Sequence, residues 1–510
     1  MTETVEGTAS AKTKENEPRN DDKKPLKIRI ALFFDGTLNN RMNIEEREAD
    51  SEIYEENKSD DANSYDNGRT NIAIMEPHVS EKKEDYAGGY NFVYKAYIAG
   101  QGAITQGKDS MWGYALAVGS TGVPDRAEEG IERAFRLIKE DSENINSHKY
   151  YIKKLTIDVF GFSRGAATAR YAIYVLFNGR IARIDDDTGE VIYEWNPLFQ
   201  RLNAAGYDID EKAVEVCFAG LFDTVLSYIG SQKLPGWMAA NILKQKAVVH
   251  AKKALHLAAA DEHRKDFPLH KISSAIKKGT GKEYYLPGVH SDVGGSYNKA
   301  NELELEKETD ESKKVYMETS DEGIDEPLTK HGMVKDHAMV INQAEPTRIK
   351  KDREDLIKQQ WYKEDEIKSY DIAYDEMGNV ITSILSVSRK GIRSAYCNIP
   401  LKIMAQHARE PDVKLKIDEK LEDRAQIILK PEKDLQELEG VIQNYIATSH
   451  HSKPGDWIED NARLNNEKLK AIRHRHFHFS ASKMSMGYAP RFEWDAGAWK
   501  FRRRRYYYDA

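Results

Sequence analysis

Leu155-Thr-Ile-Asp-Val-Phe-Gly-Phe-Ser163-Arg-Gly-Ala-Ala-Thr-Ala-Arg170 is the stretch whose reading decides the fold. Leu155 to Phe160 is a short apolar run that reads as a buried strand. Gly161-Phe162-Ser163-Arg164-Gly165 follows, a Gly-x-Ser-x-Gly pentapeptide. A run of small residues then opens a helix that continues through Phe177. In a strand–sharp turn–helix context this pentapeptide makes a nucleophile elbow, with Ser163 strained at the apex. Gly161 and Gly165 are small because the helix start packs closely on the strand. The amide of Arg164 and the helix N-terminus then face the group that the hydroxyl attacks. The plainer alternative is a tight turn in which Ser163 only caps the helix.

The surrounding chain fits an α/β protein with a mostly parallel sheet and helices on both faces. Lys27 to Phe34 is a strand that ends in Asp35-Gly36-Thr37. Tyr90 to Gly100 reads as another, and Gly130 to Lys139 as an amphipathic helix. Ala213 to Phe222 is a strand ending in Asp223-Thr224-Val225. Glu283 to Val289 is a short strand ending in His290-Ser-Asp-Val-Gly-Gly295. Pro235 to His263 alternates apolar and cationic residues at helical spacing.

The expected organisation is a disordered tail at 1–26 and a catalytic core at 27–300. A charged helical or partly disordered insertion follows at 301–376, a return to the core at 377–410, and a helical, basic-aromatic extension at 411–510. A chain of 510 residues allows one elaborated domain or two to three. Its 76 Lys and Arg against 84 Asp and Glu give a charge of −8, which argues against bulk attraction to nucleic acid. Two cysteines, Cys217 and Cys397, rule out a disulfide scaffold. The first residues lack the basic and apolar regions of a signal peptide, and no apolar run reaches the ~20 residues of a spanning helix.

A serine hydroxyl needs a base, and the base needs a group that fixes its tautomer. Ser163, Asp223 and His290 each follow a strand, in the order nucleophile, acid, histidine that hydrolases of this type use. Strand ends are where open α/β sheets carry their sites. His250, His256, His263 and His270 are competing bases, read as lying on or after a helical stretch. Asp292 is a rival acid that reads better as a brace for the His290 loop. The oxyanion hole takes the amide of Arg164 and a second donor from Gly36 or Thr37; the equal alternative is a turn that only caps its strand. A phosphoaspartyl reading of Asp35-Gly36-Thr37 fails, because the nucleophile position two residues earlier is Phe33. His474, His476 and His478 cluster without a metalloprotease glutamate, so no metal or other cofactor is expected.

Four blocks taken together, Phe33-Phe-Asp-Gly-Thr-Leu-Asn-Asn40, Gly161 to Gly165, Leu221-Phe-Asp-Thr-Val225 and Gly288-Val-His-Ser-Asp-Val-Gly-Gly295, resemble the α/β-hydrolase family that holds phospholipase effectors of bacterial type VI secretion systems. Asn398-Ile-Pro-Leu-Lys-Ile-Met404 resembles a further family segment. The resemblance implies a Ser163–Asp223–His290 triad and hydrolysis of glycerophospholipid acyl esters at a membrane. It also implies a protein made in the cytoplasm without a signal peptide and delivered by a contractile apparatus to a neighbour's periplasm or membrane. A spike protein and a cognate immunity protein are the expected partners, and no nucleic acid.

The other readings are a soluble carboxylesterase or thioesterase and a non-catalytic binding module. Trp237, Met238, Ile242 and Leu243 beside lysines make either an interfacial lid or an ordinary surface helix. Trp494, Trp499 and Arg502 to Tyr508 leave membrane contact, spike docking and plain packing open.

Overall fold

Six apolar runs pair side by side into one sheet in the computed structural model. They are β1 (Lys24–Phe34), β2 (Phe92–Ile98), β3 (Tyr150–Phe162), β4 (Val214–Phe222), β5 (Lys253–Ala259) and β6 (Gly281–Leu286). Every pairing is parallel, in the order β2-β1-β3-β4-β5-β6. The structure describes residues 23–58, 63–81, 89–110, 122–177, 180–184, 191–226, 244–297, 318–321, 339–449, 467–479, 492–495, 498–501 and 507–508. Residues 1–22 of the expected 1–26 tail, Trp237, Met238, Ile242 and Leu243 of the amphipathic stretch, 301–317 and 322–338 of the 301–376 insertion, and most of the basic-aromatic tail lie outside them.

Alternation along β1 sorts the two faces. Ile28, Ile30, Leu32 and Phe34 pack with Ile131 and Ile138 of α1 (Val123–Glu140) and Ile173 and Leu176 of α2 (Arg164–Phe177). Ala31 and Phe33 face the other way, and Phe33 stacks on Phe160 at 4.6 Å between ring centroids. That side is covered by later parts of the chain: α3 (Pro346–Lys358), α4 (Asn398–Arg409), α5 (Lys420–Leu429), α6 (Lys433–Thr448) and α7 (Glu467–His476). Arg29 of β1 is buried on this side, bidentate to Asp158 (2.6 and 3.0 Å) and donating to the carbonyls of Val413 and Lys414. A buried pair of this kind is near break-even in energy. The apolar side chains of α4, worth about 1.5–3 kcal/mol each on full burial, hold the layer, and the pair fixes its register.

Three readings of the sequence are corrected. The tail expected to run to residue 26 gives way to β1 at Lys24, whose first residues pair with Tyr150 to Ile152. The helical spacing assigned up to His263 ends in a 3-10 turn, Gln245–His250, and then β5. Ala254-Leu-His-Leu-Ala-Ala259 is buried on both faces, and a strand of that kind shows no clean alternation. The charged insertion is not simply helical. Beside α3, β7 (Met339–Ala344), β8 (Ile367–Tyr374) and β9 (Val380–Val387) form an antiparallel sheet in the order β7-β9-β8. Most of β8 is exposed or half-buried, so its polar composition concealed it. Among the described residues no helix is long and apolar enough to cross a membrane.

Candidate active site

The register of the sheet brings the expected residues to one edge. Phe34 pairs with Gly161, Phe162 with Phe222, Phe222 with Leu257, and Ala259 with Leu286. The segments that leave β1, β3, β4, β5 and β6 therefore emerge together. The strand order reverses between β1 and β3, which is the position where such sheets open a crevice at their carboxyl ends. Asp35-Gly36-Thr37 and Ser163 lie on its two sides.

Ser163 sits at the junction of β3 and α2 with φ +59°, a left-handed conformation that costs a non-glycine residue about 1–2 kcal/mol. Its amide donates to the Phe222 carbonyl at 3.0 Å, and its carbonyl accepts from Ala166. The flanking glycines are required by contact. A Cβ on Gly161 would overlap the Gly165 carbonyl oxygen, and one on Gly165 would overlap the carbonyl oxygens of Phe34 and Asp35. The first turn of α2 thus rests directly on the end of β1.

Asp223 is also left-handed, at φ +42°, and fully buried. Its amide donates to the Leu257 carbonyl at 2.8 Å. One carboxylate oxygen accepts from the Ala259 amide (2.8 Å), and the other lies 2.5 Å from His290 Nδ1. A carboxylate accepts, so Nδ1 carries the proton and Nε2 is left as the acceptor. His290 opens a short helical turn, His290–Gly294, and its amide donates to Glu262 at 3.1 Å. Its ring lies between Phe162 (4.5 Å) and Phe267 (4.9 Å, edge-on). Ser163 is 6% exposed and His290 4%, so little bulk water reaches either. Burial lowers the His290 pKa below its ordinary 6.5, against the upward pull of Asp223 and with a further push down from Arg264. The imidazole is neutral at pH 7.

The turn after β1 meets the elbow. Arg164 Nε donates to Thr37 Oγ1 at 2.5 Å. The Gly36 amide is already engaged with the Asp35 carboxylate at 2.7 Å. Asp35 also accepts from the hydroxyls of Thr70 (2.6 Å) and Tyr97 (2.5 Å). Burial nonetheless pushes its carboxyl up to about 6. Gly100 lies against this turn so closely that a Cβ there would overlap the Gly36 carbonyl oxygen.

The rival residues go elsewhere. Asp292 accepts from the Val289 amide (2.9 Å) and from the amide and ring of His478. His250 stacks on Phe177, and His263 stacks on Phe479. His256 lies inside β5 rather than on a helix, bonded to Glu283. The three C-terminal histidines do not share a ligand set: His474 bonds Glu366, His478 bonds Asp292, and His476 approaches Asp434. Glu432, Asp434 and His476 gather closely enough to hold an ion, but Arg393 and Arg475 already neutralise the two carboxylates. The sequence offers His256 only as a competing base and His478 only within a histidine cluster, and it gives no signal for Glu262, since the groups they contact here lie in other segments.

Curated proteins give no match. Among solved structures, one described as the Tle1 effector bound to the VgrG spike from the type 6 secretion system is 19% identical, with 98% of this chain and 99% of that chain aligned and a TM-score of 0.56. It shares the fold. An uncharacterized protein from Pseudomonas aeruginosa is 21% identical over 55% of this chain and 42% of its own, with a TM-score of 0.31, too low for any argument. A family model, the catalytic domain of the type VI secretion Tle1-like phospholipase effectors, matches residues 28–317, which span all six strands of the parallel sheet except the first residues of β1. The chain therefore belongs to the Tle1-like phospholipase effectors of the type VI secretion system.

Proposed function

We propose that the protein is a phospholipase A that cleaves glycerophospholipid acyl esters with Ser163, His290 and Asp223. The observation that carries this reading is the 2.5 Å contact between Asp223 and His290 Nδ1, beside a serine held left-handed at the adjoining strand end. Ser163 Oγ attacks the acyl carbonyl while Nε2 of His290 takes its proton. Asp223 keeps the proton on Nδ1 and stabilises the imidazolium that forms. Collapse of the tetrahedral intermediate breaks the ester bond, and His290 returns the proton to the departing lysophospholipid oxygen. Water, deprotonated by the same Nε2, then releases the fatty acid and restores the serine.

The developing oxyanion is held by the amides of Arg164 and Thr37. Of the two donors expected from the first turn, the Gly36 amide is committed to Asp35, so Thr37 takes the role. The bond from Arg164 Nε to Thr37 Oγ1 keeps the two donors in register, and the α2 N-terminus adds its dipole. The chemistry needs no metal. Family membership supports delivery by the contractile apparatus, and the spike-bound structure of the 19% identical relative supports docking on a spike protein. Action in a target cell's periplasm and neutralisation by an immunity protein complete the reading.

The test is fatty-acid release from liposomes whose sn-1 and sn-2 chains carry different labels, with the native protein and Ser163→Ala. Release by the native protein alone supports a serine phospholipase A and gives its positional preference. Cleavage of short soluble esters without liposome hydrolysis would replace it with a soluble esterase. Undiminished release by Ser163→Ala would overturn the mechanism.

A further inference from the structure

Behind Asp223 lies a second histidine–carboxylate pair that the reaction does not use. His256 is fully buried in the middle of β5. Leu255 and Leu257 on either side join the apolar cluster beneath the C-terminal layer, so His256 points to the opposite face. Its Nε2 lies 3.0 Å from the Thr224 amide and its Nδ1 2.9 Å from Glu283. A backbone amide can only donate, so Nε2 accepts and Nδ1 holds the proton that is given to Glu283. Glu283 is itself fixed by the Ile272 amide (3.0 Å) and the Tyr285 hydroxyl (2.7 Å).

Thr224 directly follows the left-handed Asp223. In a regular parallel ladder its amide would donate to a carbonyl of the next strand. Here the chain has already turned off the end of β4, and an imidazole supplies the acceptor. The Thr224 carbonyl is held in turn by the His270 amide at 3.0 Å. Thr224 is thus clamped at both its backbone amide and its carbonyl, and the residue before the clamp carries backbone strain.

Resting on the triad reading above, we propose that His256, braced by Glu283, is a positioning residue for the catalytic acid. By holding the Thr224 amide it keeps Asp223 left-handed and its carboxylate aimed at His290 Nδ1. Outer partners that orient metal ligands are commonly worth about 10–100-fold in activity, and an effect of that size is expected for an outer partner of Asp223.

The experiment is a double-mutant cycle in the full chain, read as kcat and KM on phospholipid. His256→Leu is expected to lower kcat about 10–100-fold with KM unchanged. His256→Gln, which offers an oxygen to Thr224 and an N–H to Glu283, is expected to recover most of that loss. In an Asp223→Asn background, already crippled, His256→Leu is expected to change kcat by less than about 2-fold, because its effect runs through Asp223. Glu283→Gln, which preserves volume, serves if the leucine variant does not fold, and should show the same non-additivity. An equal fold-loss in both backgrounds, or equal impairment of the Leu and Gln variants, would overturn this proposal and leave the triad standing. Full activity of Asp223→Asn itself would overturn the triad reading and this one with it.

Discussion

The ring of His478 lies 2.7 Å from the carboxylate of Asp292, across 186 residues of sequence, and both side chains are buried. Asp292 lies two residues after His290 and also receives the Val289 amide, so this contact fixes the start of the turn that carries His290. Tyr297, at the far end of the same loop, stacks on the His478 ring at 3.5 Å. His478→Ala leaves a buried carboxylate short of a donor, at a cost of about 1–3 kcal/mol. The variant is expected to show a lower melting temperature and roughly 10-fold lower kcat at unchanged KM, the size usual for an outer partner of a reactive group. A folded variant with native kcat would show that the His290 loop stands without this brace.

Strain at the elbow separates stability from activity. Ser163→Ala keeps the φ of +59° and loses the nucleophile, so kcat should fall by at least about 10³-fold. Ser163→Gly loses the same group but relieves the backbone, and should be about 1 kcal/mol more stable than the alanine variant. Chemical denaturation of the two inactive variants checks this. Equal stabilities would mean that the elbow carries no strain.

The pH dependence follows from the direction of the His290 shift. Its pKa in the folded protein lies below 6.5, so the acid limb of kcat/KM should have its midpoint below that value. Folding favours the neutral ring. The stability it contributes is complete above 6.5 and is lost as pH falls through the folded pKa. Asp223→Asn removes the neighbour that pulls this pKa up, so the midpoint should move further down while kcat falls by about 10⁴-fold. An acid limb above 6.5 in the native enzyme would assign the titration to another group.

Gly100 tests the oxyanion turn. A methyl there would occupy the position of the Gly36 carbonyl oxygen, and the turn carrying the Thr37 amide would have to move. Gly100→Ala is expected to cost about 1–3 kcal/mol as overpacking and to reduce kcat more than it raises KM. Circular dichroism melts with steady-state kinetics measure both. A destabilised variant with native kcat would remove Thr37 from the oxyanion hole.

The parallel sheet and the residues at its edge were readable because each is announced locally. An apolar run ends in a serine between glycines, in Asp223-Thr224, or in His290 before two glycines, and such punctuation survives without three-dimensional context. The same local logic failed at β5, where burial on both faces erased the alternation, and at β8, where solvent on much of its surface filled the strand with polar residues. His256 and His478 were legible only in other roles, as one of four competing bases and as one of a histidine cluster. Their part in the site arises from the Thr224 amide and from Asp292, which the local sequence does not announce. Gly36 was legible as a close-approach glycine, but not the bond to Asp35 that occupies its amide.

The contact between His478 and Asp292 also orders events in time. A ribosome releases Ser163, Asp223 and His290 long before it reaches residue 478, and the sheet that carries them is already complete by Leu286. The loop bearing His290 gains its brace only after nearly two hundred further residues have been made. A nascent chain therefore carries the His290 loop without its His478 brace until the C-terminal segment has been made.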